Sequence, residues 1–192
     1  MRRKPSRYKD GLSGASDRHD MTGTEMAAKS DFTAQEWGKI LTAPMLAGMA
    51  VTISEPSGLF GTIKEGMASG RELLAARNDP GASELSKAVA VDMETSEGRT
   101  AAREELQAEL SSKTPAEIKQ KAISTLAEVA GLLDAKAPQD AAGFKAWLIH
   151  IAESVAAAAS SGGFLGFGGV QVTEAEKATI AEIAVTLGIP AA

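Results

Sequence analysis

His19 and His150 are the only two histidines in this chain of 192 residues, and there is no cysteine. The absence of cysteine removes thiol nucleophiles, disulfides, thiolate zinc sites and iron–sulfur ligation together. His19 falls in a polar N-terminal stretch, which leaves His150 as the one imidazole of the main body. Glu153 follows it at helical spacing, so metal or acid–base chemistry would centre on a His150/Glu153 pair. A di-iron bundle needs inward Glu-x-x-His motifs on paired helices, and the chain has none. His150 also points away from the apolar stripe through Phe144, Leu148 and Ile151, so the pair reads as a surface contact. Serine chemistry lacks its parts as well, since there is no Gly-x-Ser-x-Gly and no second histidine in the main body to act as base.

Asp92, Glu94, Glu97, Glu104, Glu105 and Glu109 form an acidic run. A calcium or magnesium site needs several oxygens converging on one point. This spacing is not that of an EF-hand, and a helix splays such side chains outward, so a solvated acidic face is expected. No catalytic residue, metal ligand or cofactor contact is assigned.

The least generic stretch is Gly162 to Glu176, GGFLGFGGVQVTEAE. Phosphate cradles put their glycines after a strand and hold the anion on the amides of the next helix. Here an Ala-rich helix end precedes the glycines, and Gly163, Gly166, Gly168 and Gly169 fit neither phosphate-loop pattern. Glu174 and Glu176 then compete with an anion for the same amides. Nor does the region suit a membrane span. Of the 19 uncharged residues from Ser154 to Val172, 12 are Ala, Ser or Gly, which gain little from lipid. What remains is a loop carrying Phe164, Leu165 and Phe167, either folded back as a clasp on the end of a bundle or offered to a partner.

The elements that would position these residues read as helices throughout. Aromatic content is only 4%, and the apolar residues are mostly aliphatic, as in a helical bundle. Residues 1–31 lack hydrophobic periodicity and read as a disordered tail, with a basic cluster that includes Arg2, Arg3 and Lys4. No apolar segment follows the arginine pair, so it is not an export signal, and a cytoplasmic location is expected. The tail carries a net +2 and the remainder −7. A body that acidic disfavours nucleic acid, which leaves only the tail for such a contact.

Residues 32–192 read as one domain, large enough to bury roughly 70% of its unfolded surface without covalent staples. Thr33 and Glu36 form a capping box, with Phe32 placed to staple onto Trp37. The helix that follows puts Trp37, Ile40, Leu41, Pro44, Met45, Gly48 and Met49 on one face, with a kink or restart expected at Pro44. A second helix spans about 59–77, and Asn78-Asp79-Pro80-Gly81 breaks the chain. Periodicity from Ser83 to Leu110 is interrupted at Gly98, giving one bent helix or two. Thr114-Pro115 opens the next helix, Asp140 is placed to cap the one after it, and Thr173 with Glu176 caps the last. Gly188 is the expected C-terminal stop. The fold class is therefore all-α: a bundle of six helices, or seven if Pro44 or Gly98 splits one, with the glycine-rich loop before the last.

The functional expectation is a non-enzymatic interaction or scaffold protein that binds a protein partner or itself. It would dock through Phe164, Leu165 and Phe167, or through Arg2, Arg3 and Lys4, without a cofactor. Two alternatives carry less. One is an apolar ligand held among Met45, Met49, Phe60 and Met67, residues that otherwise read as plain core. The other is an enzyme or metal protein centred on His150 and Glu153.

Overall fold

The computed structural model describes residues 29–54, 70–73, 75–160 and 172–190, and every regular element among them is helical. A 3-10 turn (Lys29–Asp31) leads into α1 (Ala34–Ser54). Residues 70–73 and 75–78 are helical. Then follow α2 (Glu84–Glu94), α3 (Ser96–Leu110), α4 (Pro115–Lys136), α5 (Pro138–Ser160) and α6 (Glu174–Thr186). The all-α bundle expected from the sequence is present. The chain divides near Gly98, whereas Pro44 interrupts no helix. Among the described residues, no helix is long and apolar enough to cross a membrane.

α1 is the axis of the bundle and touches all five of the other lettered helices. Its start is set locally. Glu36 Oε2 accepts from the Thr33 amide at 2.8 Å, and Thr33 Oγ1 accepts from the Glu36 amide at 3.3 Å. Phe32 packs on Trp37 with ring centroids 5.9 Å apart, closing the staple. Beyond the cap, twelve residues of α1 are buried, among them Ile40, Leu41, Leu46, Ala47, Ala50 and Val51. That is more than one stripe. Met45 and Met49 are only half-buried, and the core is filled from the Leu46 and Ala50 side as well. Pro44 is itself buried in mid-helix. A mid-helix proline costs about 3 kcal/mol. Complete burial of Ile40, Leu41 and Val51 alone contributes about 1.5–3 kcal/mol each, which outweighs it.

The division at Gly98 has a steric cause. Thr95 adopts an extended conformation, its amide and hydroxyl both donate to the Asp92 carbonyl, and its Oγ1 accepts from the Gly98 amide at 2.9 Å. A Cβ on Gly98 would lie 2.1 Å from that same Asp92 carbonyl oxygen. Arg99 completes the junction by donating to the Glu94 carbonyl at 2.6 Å, a cation on the last carbonyls of α2.

Asp140 lies inside the first turn of its own helix rather than ahead of it. α5 starts at Pro138, where a missing amide proton does no harm. The Asp140 carboxylate is instead buried and accepts from the Leu85 amide in the first turn of α2, at 3.2 Å. Gly143, one turn on, permits that approach: a Cβ there would meet Ser83 Cβ at 3.0 Å. The caps of α4 and α6 are complete capping boxes, Thr114 with Glu117 and Thr173 with Glu176. α6 ends with Gly188 at φ +73°. The Ile189 amide donates to the Ala184 carbonyl and the Gly188 amide to that of Val185, while Ile189 packs on the core.

Candidate functional site

Among the described residues, the chemistry-bearing side chains gather at two places. The first is on α5. His150 Nε2 lies 3.0 Å from Glu72 Oε2, and Ser154 Oγ donates to Glu72 Oε1 at 3.0 Å. His150 and Ser154 are one turn apart, so they form a two-pronged grip on a carboxylate from the 70–78 segment. The pairing with Glu153 expected from spacing is replaced by this longer-range one, and Glu153 is exposed. Only the i, i+4 relation of His150 and Ser154 was visible locally. The carboxylate that joins them comes from 78 residues upstream.

Serine, histidine and glutamate together invite comparison with a catalytic triad, but the order is wrong. In a triad the imidazole sits between hydroxyl and carboxylate, so that it can take the hydroxyl proton. Here the carboxylate sits between the other two, and Nε2 has to donate to it. His150 therefore cannot activate Ser154 in this arrangement. No group of three or more His, Cys, Asp or Glu side chains among the described residues could hold a metal ion.

The second cluster lies around the start of α1, and its centre is Asp92. Asp92 Oδ2 accepts from the indole Nε1 of Trp37 at 2.6 Å and from Lys29 Nζ at 2.7 Å. Lys29 also lies over the Trp37 ring, 5.7 Å from its centroid. On the far side of Phe32, Lys136 Nζ donates to Glu36 Oε2 at 2.6 Å. The 3-10 turn, α1, α2 and α4 are thus fastened at one point. Burial pushes the Asp92 carboxyl up, but hydrogen bonds from Lys29 and Trp37 outweigh that and leave it below its ordinary value of 3.8. The Lys136 hydrogen bond, helped by the Thr33 amide, holds Glu36 below 4.5.

The acidic run is accordingly not a uniformly solvated face. Asp92 is engaged as described, Glu94 takes Arg77 Nη1 at 2.5 and 2.6 Å, and Glu109 is ion-paired with Lys121. No local signal pointed to Asp92: a buried indole N–H favours an acceptor, as at Trp37, but the buried Trp147 Nε1 has none among the described residues.

A shallow groove of about 400 Å³ lies between α1 and α4, lined by Gln35, Glu36, Lys39, Glu128, Gly131 and Leu132. Its charged side chains are already engaged, Lys39 with Glu128 and Glu36 with Lys136. Of the residues proposed to line a ligand cavity, Met45 and Met49 are half-buried on α1, while Phe60 and Met67 lie outside the described residues. The candidate contact residues Phe164, Leu165, Phe167, Arg2, Arg3 and Lys4 lie outside them too, as do residues 1–28 of the tail read over 1–31, while its last three residues are the 3-10 turn. No family model, curated protein or solved structure matches this chain.

Proposed function

We propose that the protein is a non-enzymatic helical scaffold that works in the cytoplasm by binding a protein partner or a second copy of itself. The observation that supports this reading is the engagement of His150. The imidazole is directed to Glu72, the same carboxylate holds Ser154, and the three together tie the 70–78 segment to α5. That arrangement suits cohesion between helices rather than proton transfer to a substrate. The elements left for recognition are those the sequence singles out, Phe164, Leu165 and Phe167 before α6 and the Arg2-Arg3-Lys4 cluster at the N-terminus.

Affinity purification of the full chain from its native cell, with mass spectrometry of what co-elutes, tests the proposal. A double Phe164→Ser/Phe167→Ser variant with wild-type helix content is expected to lose the main co-purifying protein, or its own self-association. A variant that keeps every partner would remove the loop from the account. Turnover by the purified chain that His150→Gln abolishes would overturn the scaffold reading itself.

A further inference from the structure

The helices packed around the core differ in what they bury. Each of α1, α2, α4, α5 and α6 contributes at least one large side chain that is fully buried, namely Ile40, Leu85, Leu126, Phe144 and Ile183. α3 contributes none. Of its 15 residues the buried ones are Gly98 and Ala102, which carry little or no side chain. Leu106 and Leu110 pack against the core but are only half-buried. Full burial of one large apolar side chain is worth roughly ten- to a hundred-fold in an equilibrium constant. α3 is closed without a factor of that size, which each of its neighbours has.

What α3 does offer its neighbours is in good part polar. A Cβ on Gly38 would lie 3.4 Å from Glu105 Oε2, so a half-buried carboxylate faces the α1 backbone there. Towards the end of α3, Glu109 is ion-paired with Lys121 of α4, with side chains 24% and 29% exposed. A pair so open to solvent adds little. Both ends of the helix are joints. Thr95 is extended between α2 and α3, and Ser112 at the other end has φ +62°, in the left-handed region. α3 can therefore leave its place without unwinding α2 or α4.

We propose that α3 is a hinged flap on α1, which detaches and unwinds as one unit while α1, α2, α4, α5 and α6 stay folded. Elements with little buried apolar surface are the ones that open ahead of the whole, and they do so as contiguous cooperative units. A detached helix of this length is marginal in water, so release from α1 exposes its amides. Opening uncovers the Gly38 side of α1, and the motion does not depend on which partner the protein binds.

Native-state hydrogen exchange of the full chain at neutral pH tests the flap, read amide by amide over a series of low urea concentrations. Amides from Ala102 to Leu110 are expected to share one protection factor, about 100-fold or more below that of the buried α1 amides. Their exchange should respond weakly to urea until the two sets merge. Ile183→Val on α6, which packs on α1, α4 and α5, should lower protection in α1 by about two- to ten-fold and leave α3 unchanged. Protection in α3 equal to that of α1, or graded from its ends to its centre, would overturn the proposal. So would a loss in Ile183→Val that falls equally on both helices.

Discussion

Replacing Asp92 by alanine removes the acceptor of a buried indole and the counter-ion of Lys29 in one step. Trp37 is only 4% exposed, so its N–H is largely shielded from water. Leaving such a donor unsatisfied costs about 1–3 kcal/mol. The Lys29 pair is half in solvent, with side chains 58% and 14% exposed, and contributes about 0–1 kcal/mol. Together the expected loss is roughly 1–4 kcal/mol, or a melting temperature lower by about 2–16 °C for a chain of this size. The part that belongs to the indole can be isolated. Trp37→Phe keeps a ring against Phe32 but has no donor, so in that background Asp92→Ala should cost only about 1 kcal/mol. A double-mutant cycle by urea unfolding at neutral pH is therefore expected to give a coupling of about 1–2 kcal/mol. Additivity of the two substitutions within about 0.5 kcal/mol would refute the argument that Asp92 acts by satisfying Trp37.

Three further outcomes are expected. Gly98→Ala would place a methyl group 2.1 Å from the Asp92 carbonyl and should cost about 3 kcal/mol or more, because both sides of the clash are backbone. Gly131→Ala on α4, where a Cβ meets nothing within 4 Å, should instead gain about 0.5–1 kcal/mol, and denaturant midpoints of the two variants check the contrast. Acid should weaken the fold through Asp92 and Glu36, whose native carboxyls sit below 3.8 and 4.5. Their stabilisation is fully present above those unfolded values and is lost as pH falls below them and through the lowered native ones, so unfolding midpoints should drop there and drop less in Asp92→Asn.

What was legible in the sequence was local. The boxes at Thr33, Thr114 and Thr173 and the stop at Gly188 depend on residues a few positions apart, and each is present. Asp140 shows where such reading ends. Its position suited a cap on its own helix, yet it serves the first turn of α2, brought beside it by packing that no local window contains. The alternative of a restart at Pro44 does not occur, since a local penalty was overridden by neighbours from distant parts of the chain. The grip on Glu72 was half visible, as two residues of α5 on one face, while its other half required the tertiary fold. Phe164, Leu165, Phe167 and the basic cluster at Arg2, Arg3 and Lys4 rest on sequence reasoning alone.

The central position of α1 has a bearing on how the protein is made. α1 is buried in part by α6, whose first residue follows the end of α1 by 120 positions. At roughly 5–20 residues per second, a ribosome takes about 6–24 s to supply that last wall. For that interval the most apolar helix of the body has emerged without its full set of neighbours. Chaperone capture of nascent chains should therefore be most frequent in the window between α1 and α6, and truncation before α6 should yield an aggregating product rather than a smaller stable domain.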